Sequence, residues 1–125
     1  MQIEIAAVSA VVQTYLQALF NGDAAGIASA FHPDSHLYSV GAEGALGDLP
    51  RADWLKLIEQ RPSAQSRGLE RNDRVVSLDF SGPATACVKV ECTIPPAAFV
   101  DHLLLLKLAD GWRIVAKSFH STSLA

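Results

Sequence analysis

Histidine is the side chain that titrates near neutral pH, so His102 and His120 are the first candidates for a general base in this sequence. Both lie in the tail, which reads as two strands, Val100 to Leu108 and Trp112 to His120, joined around Ala109-Asp110-Gly111. A turn with one left-handed glycine would pair Leu108 with Trp112. Counting by twos from that pair, one face carries Val100, His102, Leu104, Leu106, Leu108, Trp112, Ile114, Ala116, Ser118 and His120. The other carries Asp101, Leu103, Leu105, Lys107, Arg113, Val115, Lys117 and Phe119. The first face is apolar except at one end. It is therefore expected to point inward, bringing His102, Ser118 and His120 together at the mouth of a concavity. A mostly apolar hollow with a few convergent polar groups is the usual form of a small-molecule site. The plainer alternative makes both histidines solvated rim residues.

Tyr15 lies beside the apolar stripe of the first helical segment. Its hydroxyl either donates to a ligand oxygen or bonds a backbone carbonyl within the core. Tyr38 and Trp54 could wall the pocket, although aromatic residues at such positions also serve as ordinary core. His32 completes the candidate ligand-binding set, and the candidate catalytic residues are Tyr15, His102 and His120. His32 and His36 are four apart, but Pro33 prevents a helix from presenting both on one face. No standard metal-ligand spacing joins the four histidines, so neither a metal nor another cofactor is expected. Asp101 and Lys117 read as a cross-strand ion pair on the outer face, worth little where water reaches it.

These residues must be positioned by three helices and a following run of strands. Ile5, Val8, Val12, Leu16 and Leu19 repeat at helical spacing, and Asn21-Gly22 supplies a left-handed stop. Asp23 caps a second helix through Phe31, closed by Pro33. Arg51 to Arg61 forms a third, with Trp54, Leu55, Leu57 and Ile58 on its apolar side and Pro62 beyond it. His36 to Val40, Leu69 to Phe80, Thr85 to Ile94 and the two tail segments read as strands. The third of these five, Thr85 to Ile94, alternates Val88, Val90 and Cys92 against Lys89, Glu91 and Thr93. Helices followed by antiparallel strands predict an α+β domain, with a curved antiparallel sheet closed by the three N-terminal helices.

The 125 residues fit one domain, taken as residues 1–125. Net charge is −3, and Arg67, Arg71 and Arg74 form the one loose basic cluster. Nucleic-acid and anionic-membrane partners need a concentrated positive face, so neither is expected. The most apolar run, Val100 to Leu108, is too short and too charged to span a bilayer. Met1 to Ala10 lacks the basic region of a secretory signal. Cys87 and Cys92 lie at odd spacing in one strand, so they face opposite sides, cannot pair with each other, and read as small buried fillers. Two free thiols and no export signal imply a cytoplasmic setting.

The run Val11-Val12-Gln13-Thr14-Tyr15-Leu16-Gln17-Ala18-Leu19-Phe20-Asn21-Gly22-Asp23, then Ile27 and Phe31-His32-Pro33-Asp34, resembles the opening of the nuclear transport factor 2-like superfamily. The tail, Asp101-His102-Leu103 through Leu106-Lys107, Gly111 to Val115 and Lys117-Ser118-Phe119, resembles its lumazine-binding-like, ketosteroid-isomerase-related subfamily. The resemblance implies a cone-shaped barrel with a deep pocket, commonly dimeric through the open sheet. It places Tyr15 at the isomerases' oxyanion-hole tyrosine. At their general-base aspartate it places Ser39, which cannot take a carbon acid's proton without a partner base. The isomerase mechanism therefore does not carry over unless His36, His102 or His120 serves as base.

Three functions fit these residues. The first is binding of a small apolar molecule without an established reaction. The second is an enzyme moving a proton on a small apolar carbonyl compound, in the manner of an isomerase, cyclase or dehydratase. The third is a non-catalytic dimerisation module. Leu103, Leu105, Val115 and Phe119, if uncovered, would form an apolar outer patch, and such patches mark interfaces. A homodimer joined sheet to sheet is expected on that basis.

Overall fold

The computed structural model describes residues 3–124. Helix α1 spans Ile5–Asn21 and buries Val8, Val12, Tyr15 and Leu16, the face that its periodicity dictates. It ends at Gly22, whose φ of 68° is the left-handed conformation of a helix C-terminus. A Cβ at Gly22 would also lie 2.7 Å from the Cβ of Ser63, so both conformation and space favour glycine. Helix α2 spans Ala24–Ala30, and the Asp23 carboxylate caps it by accepting from the Gly26 N–H at 3.1 Å. Helix α3, Arg51–Gln60, buries Trp54 and Ile58.

Six strands follow the order β2-β1-β6-β5-β4-β3. Their ranges are β1 Phe31–Val40, β2 Leu46–Pro50, β3 Asp73–Phe80, β4 Thr85–Ile94, β5 Ala97–Leu108 and β6 Gly111–Ser123. The helices lie on one face of this curved sheet, and their side chains join Val88, Val90, Leu103, Leu105 and Ile114 in one core. The α+β architecture with three helices is as the sequence predicts. The sheet is mixed, however, because β1 runs parallel to β6. It also stays open, with β2 and β3 at its edges.

Several boundaries move for physical reasons. The second helix stops at Ala30, one residue early, because Phe31 is already extended (φ −100°, ψ 132°). Pro33 therefore sits in β1 rather than ending a helix. It falls where the β1–β6 register shifts, between Phe31 and His36, a position that needs no ladder N–H. The Gly41–Gly47 stretch forms a hairpin: a 3-10 turn at Ala42–Gly44 leads into β2.

The largest correction concerns the final ribbon. Leu108 pairs with Gly111 across a two-residue turn, not with Trp112, and Gly111 takes a φ of 113°. A bulge follows, since Leu105 pairs with Ile114 but Leu104 pairs with Ala116, leaving Val115 as the extra residue. The inward face of β5 is thus Asp101, Leu103 and Leu105, all buried. Leu104 and Leu106 point outward. On β6, Trp112 and Ile114 face inward before the bulge and Lys117 after it. Of the leucine positions and Ile114 expected inside, Ile114 is buried; the strand partner of that row is reversed.

Candidate active-site cavity

Beneath the helices lies a cavity of about 430 Å³. Tyr15, Leu37, Trp54, Ile58, Phe99 and Phe119 contribute its aromatic and aliphatic walls. Exposed side chains of Arg61, Pro62, Arg67, Pro95 and Pro96 border its open end. Arg67 is tied there by donation to the Pro95 carbonyl at 2.7 Å.

Three polar side chains converge inside. Tyr15 donates its hydroxyl proton to Asp101 Oδ2 at 2.6 Å. Lys117 Nζ donates to the Tyr15 oxygen at 2.9 Å and stands 3.5 Å from Asp101 Oδ2. All three are buried: Tyr15 is 0% exposed, Asp101 1% and Lys117 6%. The scaffold explains how they meet. α1 lays Tyr15 on its buried stripe, β5 presents Asp101 in line with Leu103 and Leu105, and the bulge at Val115 turns Lys117 to the same side.

Burial governs the protonation of Tyr15 and Lys117. Removal from water, then the charge of Asp101, pushes the Tyr15 phenol well above its usual pKa of 10.0. Burial pulls Lys117 below its usual 10.5, and Asp101 opposes that shift. Lys117 Nζ also lies 4.8 Å from the Trp54 ring centroid, 5.1 Å from Phe119 and 5.3 Å from Tyr15. Ring faces attract a cation and surround it with little water. Asp101 Oδ1 is buried and has no hydrogen-bond partner among the described residues. An unmatched carboxylate oxygen is costly, and such groups concentrate at functional sites.

The sequence-derived candidates divide into three groups. Tyr15 and Trp54 line the cavity. Tyr38, His102, Ser118 and His120 do not; they line a shallower groove of about 380 Å³ on the opposite face of the sheet, with Val40 and Leu46. The expectation that His102, Ser118 and His120 point inward is overturned by the two-residue turn and the bulge. His32 lines neither hollow: its ring is half-buried, and Nδ1 accepts from the Asp34 N–H at 3.0 Å. His36 is held outside as well, 2.6 Å from Asp48 Oδ1 and stacked on Tyr38. Leu103, Leu105, Asp101 and Lys117, read as outer-face residues, belong to the interior.

Asp101 and Lys117 are therefore the cavity's polar residues that sequence reasoning had put on the outer face. Their signal was present: both share a face with Leu103 and Leu105, and charged groups flanking a leucine row are buried only when paired. The thiols do face opposite sides. Cys92 is buried against the cavity, whereas Cys87 on the outer side is only partly covered. Among the described residues, no group of three or more His, Cys, Asp or Glu side chains is arranged to hold a metal ion. Nor is any helix long and apolar enough to cross a membrane.

Three helices over an open, curved, six-stranded mixed sheet, with a cavity between the layers, define a nuclear transport factor 2-like domain. Within that class the chain belongs to the family described as "Putative lumazine-binding", whose model matches residues 3–120. A curated relative, Aldolase FrzH from Cladobotryum sp, is 30% identical over 120 residues, which cover 94% of this chain and 91% of the relative. Among solved structures, an NTF-2-like protein of unknown function from Silicibacter pomeroyi superposes with a TM-score of 0.81 at 25% identity, covering 94% of this chain and 95% of the other. One from Methylobacillus flagellatus, also of unknown function, gives 0.78 at 28% identity, with 95% and 92% covered. A ketosteroid isomerase-like protein from Erwinia carotovora atroseptica gives 0.72 at 16%, with 98% and 99% covered, a likeness of fold alone.

Proposed function

We propose that the cavity binds a small, largely apolar carbonyl compound and that its polar cluster moves a proton at the carbon beside the carbonyl. The observation that carries this reading is Asp101: a buried carboxylate with Oδ2 bonded to Tyr15 and Oδ1 without a partner. In this reading Asp101 is the general base, a role that the sequence had left to histidines. An apolar pocket strengthens each contact made to developing charge. The Tyr15 phenol and Lys117 ammonium are donors suited to an enolate oxygen. The aldolase name of the curated relative supports the same chemical class, since aldol addition begins with deprotonation beside a carbonyl.

The test is hydrogen exchange in deuterium oxide, followed by proton NMR on a panel of small ketones such as cyclohexanone and acetophenone. Catalysed loss of the α-proton signal by the wild-type protein, reduced at least a hundredfold in D101N, is expected from the usual 10²–10⁴ contribution of a general base. Binding of these ketones without any exchange would reduce the reading to ligand binding alone.

We also propose a homodimer through the outer face of the sheet, now with different residues. Val40 is 84% exposed, Leu46 73%, Leu104 48% and Leu106 37%. Together with the groove around His102 and His120 they leave a broad apolar face, and a two-fold pairing would let each copy cover the other's.

A further inference from the structure

We propose that Lys117 is a covalent catalytic residue, forming a Schiff base with the carbonyl carbon of the substrate. The inference rests on the reading of the cavity as a carbonyl-binding site, and it names the chemistry by which that site acidifies its substrate.

The geometry supports it in three ways. Lys117 Nζ is the amine of the cavity, enclosed by the rings of Trp54, Phe119 and Tyr15 at 4.8–5.3 Å. A desolvated lysine in an apolar pocket is the kind of amine that attacks carbonyl groups, because burial favours its neutral form. The hydrogen bonds also run in one direction, from Lys117 to Tyr15 and from Tyr15 to Asp101. A proton can therefore pass from the ammonium to the Tyr15 oxygen while the Tyr15 proton moves to Asp101. That step leaves a neutral amine beside a neutral carboxylic acid. A surface salt bridge would need neither the phenol between its partners nor an enclosed amine.

The atoms balance without a further reagent. The amine adds to the carbonyl carbon, and the resulting oxygen takes one of the nitrogen's protons to give a carbinolamine. The protonated Asp101 then gives its proton to the departing hydroxyl. Water leaves, the C=N bond forms, and Asp101 is again a carboxylate. The net change converts lysine ammonium and ketone to protonated imine and one water. The iminium is an electron sink, so Asp101 can then remove the adjacent C–H proton to give an enamine, the nucleophile of an aldol step.

The experiment treats the whole protein with cyclohexanone and sodium cyanoborohydride, then measures intact mass and maps peptides. The expected product is one adduct at Lys117, heavier by the ketone less one oxygen atom, formed well before labelling of the exposed Lys56 and Lys107 or the half-buried Lys89. Y15F should slow that adduct at least tenfold by cutting the relay. K117R keeps the charge but cannot form the imine, so it should lose both adduct and α-proton exchange while keeping the wild-type circular dichroism spectrum. Exchange that persists in K117R, or wild-type exchange with no adduct at Lys117, overturns the Schiff base and leaves the proton-transfer reading intact. An adduct at Lys117 without exchange upholds the covalent site and overturns the proton-transfer reading. Failure of both in the wild type overturns both.

Discussion

The Tyr15 hydroxyl and Asp101 Oδ2 are 2.6 Å apart although 86 residues separate them in the chain. That contact pins α1 to β5 across the cavity, and Lys117 joins it from β6 at 2.9 Å. The Tyr15 phenol thus joins side chains of α1, β5 and β6 at one point of the cavity wall.

Removing the Tyr15 hydroxyl should therefore weaken the fold. Hydrogen bonds to charged groups contribute about 1.5–3 kcal/mol, so Y15F should lower the urea-unfolding free energy by that amount at pH 7. A pH effect follows as well. The unfolded phenol ionises near its ordinary value, whereas the folded one, raised by burial and then by Asp101, keeps its proton. Above about pH 10 the native state then binds more protons than the unfolded state, so stability must fall with rising pH. That slope should be steeper in the wild type than in Y15F, where the Cys92 thiol, also raised by burial, still contributes a fall of the same sign. Parallel curves for the two proteins between pH 9.5 and 11 would contradict the assignment.

The Asp101–Lys117 pair should show strong coupling in a double-mutant cycle. D101L leaves a buried ammonium unmatched and should cost about 3–5 kcal/mol, whereas D101L/K117M replaces both charges with apolar side chains and should recover most of that loss. Urea denaturation of the four proteins measures it. Additive effects would mean that the charges do not act as a pair.

The two thiols should differ in reactivity. Burial, followed by the charges of Asp73 and Asp101, raises the Cys92 thiol to about 11, so at pH 8 almost none of it is thiolate. Iodoacetamide at pH 8, read by peptide mass spectrometry, should label Cys87 well ahead of Cys92. Pre-incubation with a ketone that fills the cavity should leave the labelling of Cys87 unchanged.

The outer face makes a separate prediction. Size-exclusion chromatography with light scattering should give twice the chain mass for the wild type and the single-chain mass for L104E. Leu104 is 48% exposed, so the glutamate should not disturb folding, and circular dichroism checks this. A wild-type protein that remains monomeric at high micromolar concentration removes the dimer.

Much of the scaffold was legible because its signals are local. The stripe from Val8 to Leu16, the Gly22 stop, the Asp23 cap and the alternation in β4 each follow from a few neighbouring residues. The parallel pairing of β1 with β6 was hidden because it joins distant segments and leaves no periodic mark. The site was only half visible for a related reason. Leu103 to Leu106 is apolar on both faces, so hydrophobic pattern could not choose between them, and the choice fell to the turn. Asp101 and Lys117 looked solvent-facing because charges usually are. In the fold they meet inside, 3.5 Å apart, with the Tyr15 hydroxyl bonded to both.

Val115 gives the sixth strand a change of phase. Before it, even-numbered side chains supply greasy filling; after it, odd-numbered ones supply an amine and a ring to the hollow. Were Val115 paired into the ladder like its neighbours, the later half would slip by one position against β5, sending Lys117 to solvent and Ser118 into the hollow. The amine of this pocket thus faces inward through a counting irregularity, and a strand of the same length that paired every residue would turn other side chains into the hollow.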